Sequence, residues 1–501
     1  MCAVASDYDL SQRTLQFLSS PRQQLIGGKW VDSASGQTFG VVDPATGEEV
    51  VQVARGNAAD IDAAVAAARK AFESGPWHSM TPSERGKLIW KLGDLIESHA
   101  RELAELETLD NGKPFAIAQA ADVALAADQF RYYAGWATKL LGDSIPISVV
   151  YAPGTEWQAY SRREPIGVVG QIIPWNFPLL MAAWKLAPAL TCGCTVVLKP
   201  AEQTPLSALY LGQLICEAGF PDGVVNIVNG FGEETGAPLA SHPGVDKVAF
   251  TGSTEVGKLI VQAAAGNLKK VTLELGGKSP NVVFSDADLA SAVPGAASAI
   301  FFNHGQCCAA GSRLFIEHSI FDDVVNGVAG AAKQIKVGSG FQADTQMGPL
   351  VSQEQFDRVT AFMEAGLAAG AEALAGGGRV GTRGYFVEPT VFVNTNHEMK
   401  IVREEIFGPV VTAMPFKDID EIAAVANNTN YGLASGIWTK DISKAHKLAK
   451  RLRAGTVWIN CYNIFDAALP FGGYKESGWG REMGHEALNN YLETKAVCIQ
   501  L

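Results

Sequence analysis

The chain has 501 residues, 47% of them hydrophobic and 18% charged, with a formal net charge of −12. That length implies more than one domain with ample core, and an acidic balance without a long basic run excludes nucleic acid as an expected partner. The eight cysteines are scattered and form no disulfide framework. Cys192-Gly193-Cys194 has no second Cys/His pair at zinc spacing, so free thiols, a reducing cytoplasm and no metal are expected.

Residues 1–25 read as polar and irregular, and residues 1–10 lack a charged n-region ahead of an apolar h-region, so no secretory leader is expected. Residues 27–53 alternate short β-type runs with turns, Asp43-Pro44-Ala45-Thr46-Gly47 being a clear turn signal. Residues 57–72 place Ile61, Ala64, Val65, Ala68 and Phe72 on one helical face. Thr81-Pro82-Ser83-Glu84 is a capping box that opens another helix, and Asn111-Gly112-Lys113-Pro114 is a stop signal. A further helix is predicted over 117–141, and an exposed extended ribbon over 147–163.

From Ile166 the pattern becomes βα. Predicted strands at 167–173, 195–198, 224–228 and 248–250 alternate with helices at 179–190 and 205–218 and one opening at Thr251-Gly252-Ser253-Thr254. The longest apolar stretch, 179–190, is broken by Lys185 and Pro188 and is too short to span a bilayer. Strands at 271–275 and 281–284 follow. A helix over 289–302 leads to Phe301-Phe302-Asn303-His304-Gly305-Gln306-Cys307-Cys308. A strand at 313–317, helices near 321–335, 353–369 and 419–425, a strand at 457–460 and an extended terminus at 491–501 complete the chain. Such alternation implies an α/β fold with parallel sheet and ligands at the strand C-terminal ends. The Gly276-Gly277 pair marks a boundary between two α/β lobes.

Several residue types suit chemistry, each with an ordinary alternative. A thiol where a helix gives way to a loop can be exposed and activated, although Cys is also a frequent core residue. Glu274, in the apolar run Val-Thr-Leu-Glu-Leu-Gly-Gly, is either a base with a desolvation-raised pKa or the partner of a lysine such as Lys278. Asn176, in a Pro-bracketed turn, is either an oxyanion donor or a turn residue. Ser253 at a helix opening is either an N-cap or part of an anion site. Lys199 past a strand end meets a ribose hydroxyl, a phosphate or only solvent. Gly230-Phe231-Gly232-Glu233-Glu234-Thr235-Gly236 has GxGxxxG spacing, which differs from the dinucleotide fingerprint.

Taken in order, Pro174 to Pro178, Lys199-Pro200-Ala201-Glu202, Phe250 to Thr254, Leu273 to Lys278, Phe302 to Cys308, Glu404 to Pro409 and Pro470-Phe471-Gly472-Gly473 resemble the NAD(P)-dependent aldehyde dehydrogenase superfamily. The likeness runs from about Ile26 to the C-terminus. It implies an aldehyde dehydrogenase-like α/β fold: a variant Rossmann cofactor domain (1–146 and 164–275), an α/β catalytic domain (276–486) and a small β oligomerisation element (147–163 and 487–501). It implies Cys308 as nucleophile, Glu274 as general base, and Asn176 with the Cys308 N–H as oxyanion hole. It implies Lys199 and Glu202 at the adenosine ribose, and Ser253 and Gly252 at the pyrophosphate with Trp175, Gly232 and Gly236 nearby. Glu405 and Phe407 would place the nicotinamide ribose and ring. Phe177, Met181, Trp184, Phe302, Phe465 and Phe471 would line the substrate tunnel.

The implied reaction adds the thiolate to an aldehyde, passes two electrons to NAD, and cleaves the resulting thioester with water. Glu202 implies NAD over NADP, because it would repel a 2′-phosphate. Glu274 implies release of free acid rather than acyl transfer to coenzyme A. The aromatic tunnel and the segment 465–471 point to a small aromatic aldehyde and resemble phenylacetaldehyde dehydrogenases. A broad-specificity aliphatic aldehyde dehydrogenase and a Cys-dependent esterase without redox role are the alternatives. A homo-oligomer, dimer or tetramer, free of membrane and in the cytoplasm, completes the expectation.

Overall fold

The structure, a computed structural model, describes residues 8–501. Residues 1–7, which carry most of the stretch read as leaderless, lie outside the described residues. Part of the N-terminal region expected to be irregular is a helix, Gln12–Leu18, capped where the Ser11 Oγ accepts from the Thr14 N–H at 3.2 Å. Its seven residues are too few for their period to show in the sequence.

Two large sheets organise the chain. The first has eight strands in the order Gly478–Trp479, Lys270–Glu274, Lys247–Thr251, Val168–Ile172, Thr195–Lys199, Val225–Ile227, Gln24–Ile26 and Lys29–Val31. Its central strands are parallel. Runs such as Val-Val-Gly-Gln-Ile and Lys-Val-Ala-Phe-Thr are buried along their whole length, as strands covered on both faces must be. Strand Val168–Ile172 leads one way to Thr195–Lys199 and lies on the other side against Lys247–Thr251. The topological switch therefore falls between them, where open α/β sheets bind ligands.

The second sheet has seven strands in the order Glu372–Ala375, Thr390–Val393, Val410–Phe416, Arg313–Glu317, Pro280–Val283, Ala434–Trp438 and Thr456–Ile459. It packs around Val282, Phe315, Phe392 and Ile437. The chain passes between the sheets through Gly276-Gly277 and returns once. Gly478–Trp479 lies antiparallel to the first sheet's edge, with Glu274 opposite Gly478.

A separate sheet of three strands pairs Leu492–Gln500 with Trp157–Pro165, from Leu492 opposite Pro165 to Gln500 opposite Trp157, and adds Ser144–Ile145. The ribbon predicted over 147–163 is thus corrected. Residues 146–156 are turns and irregular chain, with Gly154 at φ +83° after Pro153, and the strand begins only at Trp157.

The capping box read at Thr81 forms, and a second, not read from the sequence, stands at Asn57. Thr81 and Glu84 satisfy each other's backbone at the head of Pro82–Ser98, and Asn57 and Asp60 do so for Ala58–Glu73. Gly112 closes Ala100–Asn111 at φ +86°. The helix predicted over 117–141 is corrected to Phe115–Ile117, a π-turn at Ala118–Val123, and Ala124–Ala134. Among the described residues no helix is long and apolar enough to cross a membrane.

Candidate active site

A cavity of about 590 Å³ opens between the two sheets. The loop leaving strand Val168–Ile172 supplies Trp175, Asn176 and Phe177, the next strand out supplies Gly252 and Ser253, and the edge strand supplies Glu274. Helix Pro178–Cys192 contributes Met181 and Trp184. The second sheet's loops contribute Phe302, Cys307, Cys308, Glu405, Phe407, Phe465 and Phe471. Lys199, Glu202, Gly232 and Gly236 are not among its walls. The Lys199 Nζ donates to the Glu202 Oε2 at 2.8 Å at the end of its strand. Gly232–Gly236 forms a π-turn whose Glu234 accepts from the Arg55 Nε at 2.8 Å.

The cysteines arrive on a strained turn. Helix Leu289–Phe301 ends, and Asn303 (φ 48°, ψ 39°) and His304 (φ 58°, ψ 28°) then adopt the left-handed conformation, as does Gly305 at φ +68°. A non-glycine residue held there costs on the order of 1–3 kcal/mol, so other bonds must fix the turn. The Asn303 side chain donates to the Gln306 carbonyl at 3.1 Å and to the Asn176 carbonyl at 3.0 Å. The Val351 N–H donates to the Gln306 Oε1 at 3.1 Å. Gly305 is obligatory, because a Cβ there would lie 2.0 Å from the Gly408 carbonyl oxygen. Gly277 is constrained in the same way, since a Cβ would come within 2.3 Å of the Cys308 carbonyl oxygen. The turn leaves Cys307 buried at 4% exposure and Cys308 partly exposed. Contact with the Cys307 thiol, burial and the charge of Glu274 all push the Cys308 pKa well above the ordinary thiol value.

Glu274 is 2% exposed, and neither carboxyl oxygen has a hydrogen-bond partner. Burial pushes its pKa up to about 8, against the pull of the nearby Cys308 thiol and the Lys185 ammonium. The alternative pairing with Lys278 does not occur, since the buried Lys278 Nζ is itself without a hydrogen-bond partner. A free buried carboxyl is expensive, and a pKa near the working pH is what a general base requires.

The Asn176 Nδ2 donates to the Gln306 carbonyl at 3.1 Å. An amide nitrogen carries two hydrogens, so one bond orients the group and leaves the other free for a substrate oxygen. Ser253 does cap helix Thr254–Ala264, its Oγ accepting from the Val256 N–H at 3.2 Å, and Gly252 and Ser253 both line the cavity. The Glu405 Oε1 accepts from the Gly277 N–H at 2.8 Å. Burial pushes the Glu405 pKa up to about 7. Phe407, at φ +59°, sits edge-on to Trp175 with ring centroids 5.1 Å apart.

Sequence reasoning missed two groups beside Glu274. The fully buried Lys185 donates to the Glu482 Oε1 at 2.6 Å and to the Thr251 Oγ1 at 2.7 Å. The signal was present, because a lysine inside an otherwise apolar helix must have a partner. Its partner lies 297 residues away in the chain, which no local pattern reveals.

Comparison with known proteins matches residues 30–497 to the model of the aldehyde dehydrogenase family. The chain is 55% identical over 492 residues to the aldehyde dehydrogenase-like protein DhaS of Bacillus subtilis, covering 98% of each. It is 52% identical over 502 residues to the mitochondrial aldehyde dehydrogenase of Homo sapiens, covering 98% of this chain and 96% of that one. An NAD+ complex of an aldehyde dehydrogenase from Bacillus cereus superimposes with a TM-score of 0.97 at 52% identity, covering 99% of both chains. A likeness of this degree along nearly the whole chain, with the thiol, carboxyl and amide meeting in one cavity, leaves one conclusion: the protein belongs to the aldehyde dehydrogenase family.

Proposed function

We propose that the protein oxidises an aldehyde to the carboxylic acid with NAD, and that its substrate is a small aromatic aldehyde such as phenylacetaldehyde. The observation that carries the substrate class is the wall of rings beside Cys308. Phe177 stacks on Phe302 at 6.1 Å between centroids, and Trp184, Phe465 and Phe471 pack on one another at 5.5 to 6.1 Å. Such a wall takes a flat apolar group and rejects a charged one.

In this reading Cys308, having released its proton to become the thiolate, attacks the carbonyl carbon, and the free Asn176 amide hydrogen and the Cys308 N–H receive the developing oxyanion. NAD, when bound, supplies the two-electron oxidant that turns the adduct into a thioester. Glu274 takes a proton from water for hydrolysis and is poised for this once ionised. The residues fit such a dinucleotide. Gly252 and Ser253 open a helix toward the cavity, where free backbone N–H groups suit a pyrophosphate. Glu202 beside Lys199 suits ribose hydroxyls and disfavours a 2′-phosphate. Glu405 and the Trp175–Phe407 pair frame a place for the ring and its ribose. Gly232 and Gly236 are assigned to the margin of the pyrophosphate site.

We further read residues 1–146 and 164–275 as the cofactor domain, 276–486 as the catalytic domain, and 147–163 with 487–501 as an element for assembly into a dimer or tetramer in the cytoplasm. The exposed sheet pairing Leu492–Gln500 with Trp157–Pro165 supports the last part.

The test is NADH formation by the purified protein with phenylacetaldehyde, benzaldehyde and hexanal, compared by kcat/KM. Phenylacetaldehyde should lead. A lead for hexanal would return the substrate to the aliphatic class, and NADH from no aldehyde would overturn the activity itself.

A further inference from the structure

A buried ionic cluster lies behind the oxyanion donor, and no step of the reaction above uses it. Lys113, fully buried, follows the Gly112 cap. Its ammonium pairs with Asp122 of the π-turn and lies 3.6 Å from Glu107. It also donates to the Asn176 carbonyl at 3.3 Å and sits 4.5 Å from the centre of the Phe177 ring. Burial pushes the Lys113 pKa down, but Asp122 and Glu107 outweigh it and hold the pKa above the ordinary value, so the group stays a cation. Burial pushes the Glu107 pKa up to about 8, against the pull of Lys113.

The geometry converges on one peptide group. The Asn176 carbonyl accepts from the Asn303 amide at 3.0 Å, from Lys113 at 3.3 Å and, more weakly, from the Asn111 amide at 3.5 Å. A carbonyl has two lone pairs, so a third donor exceeds what satisfying a buried turn demands. The neighbouring peptides are tied to the same region. The Asn111 amide also donates to the Trp175 carbonyl at 2.8 Å, and the Leu179 N–H donates to the Glu107 Oε1 at 2.7 Å. The cluster thus grips the backbone on both sides of Asn176 while touching neither Cys308 nor Glu274. π-turns recur at functional sites, and Asp122 in this one is 1% exposed and directed at Lys113.

We propose that Lys113 is a positioning residue for catalysis, fixing the Asn176–Phe177 backbone so that the Asn176 amide meets the oxygen of the carbonyl group that Cys308 attacks and the adjoining aromatic wall meets its substituent. This rests on the reading of Asn176 as oxyanion donor. Misplacing a catalytic group by about 1 Å costs up to about a hundredfold in rate, so a residue far from the reacting atoms can still set it.

The test is a cycle of Lys113→Met, Asn176→Ala and the pair together, read by acylation of Cys308 with p-nitrophenyl acetate in the absence of any cofactor. Asn176→Ala should slow the p-nitrophenolate burst about a hundredfold. Lys113→Met should slow it about thirtyfold with the KM for the ester within about twofold. In the Asn176→Ala background the same change should cost less than about twofold, because the group it positions is gone. An unchanged burst in Asn176→Ala overturns the oxyanion reading. A slow burst in Asn176→Ala with no loss, or an equal additive loss, from Lys113→Met overturns the positioning proposal alone. If Lys113→Met does not fold, Lys113→Met with Asp122→Asn keeps the buried charge balanced and takes its place in the cycle, with Asp122→Asn as reference. If that also fails to fold, Lys113 belongs to the core and the proposal is overturned.

Discussion

The Asn176 side chain donates to the carbonyl of Gln306 at 3.1 Å, two positions before Cys308 in the sequence. The Asn176 loop and the turn that carries the Cys308 thiol are therefore one hydrogen-bonded unit, although they come from different sheets. Asn303 closes the unit from the other side by donating to both partners' carbonyls. A change in either segment should be felt in the chemistry of the other.

On the proposed roles, removing the Cys308 thiol should abolish the reaction, and removing the Glu274 carboxyl should stall it. Cys308→Ala is expected to form no NADH above background with any aldehyde. Glu274→Gln should give a burst of about one NADH per site followed by turnover reduced a hundredfold or more, on the scale of general-base loss. Rapid-mixing absorbance measurements separate the two phases, and full steady-state turnover in Glu274→Gln would remove the residue from its assigned role.

Thioester hydrolysis should accelerate with pH. Burial holds Glu274 up to about 8, so at neutral pH most molecules carry the neutral acid, which cannot take a proton from water. Between about pH 6 and pH 9 the steady-state rate should rise and level off above the carboxyl's pKa, while Glu274→Gln shows no such rise. A flat profile in the unaltered protein would contradict the assignment.

The same carboxyl makes a prediction about stability. Its folded pKa of about 8 lies above its ordinary value of 4.5, so the folded state holds a proton that the unfolded chain releases. Its contribution is complete below about pH 4.5, is lost progressively as pH rises toward about 8, and changes no further above that. Relative to the unaltered protein, Glu274→Gln should therefore gain in Tm across that window, by a few degrees at about pH 8. Calorimetry of both proteins at matched pH checks it, and a Tm difference that shrinks with rising pH would refute it.

Gly305→Ala should destabilise the protein by about 3 kcal/mol or more, since the new methyl meets a carbonyl oxygen at a positive φ. Urea unfolding gives the number. Gly154→Ala, also at positive φ but with open space around it, is the control and should cost about 1 kcal/mol.

Phe465→Leu is expected to lower kcat/KM for phenylacetaldehyde about tenfold relative to hexanal, because it replaces a ring face with a smaller aliphatic group in the wall it shares with Trp184 and Phe471. An unchanged ratio would place aromatic recognition elsewhere.

What the sequence made legible follows from the range of the interactions concerned. The capping box at Thr81 is a contact across three residues, and it forms as its spacing implies. The α/β order and the family motifs were likewise local patterns. The π-turn at Ala118–Val123 was not legible, since its sequence suits an ordinary helix and the Lys113–Asp122 pair that accompanies it is a tertiary contact. The left-handed turn at Asn303 and His304 was hidden for a similar reason, as only Gly305 announces it and the bonds that hold it come from Asn176 and Val351. The ribbon over 147–163 was overextended because β-type residues such as Val149, Val150 and Tyr151 precede a Pro-Gly turn, and Val150 and Tyr151 are 92% exposed.

The antiparallel pairing of Glu274 with Gly478 also has a consequence in time. The strand that carries Glu274 is an edge until Gly478 arrives, and the Ser477 Oγ that donates to the Gly276 carbonyl lies 201 residues downstream. During synthesis the ribosome must pass Gly478 before that edge can close. A chain that stops short of Gly478 should leave that edge, and the carboxyl it carries, open to solvent, and the enzyme's chemistry should begin only once that segment has docked.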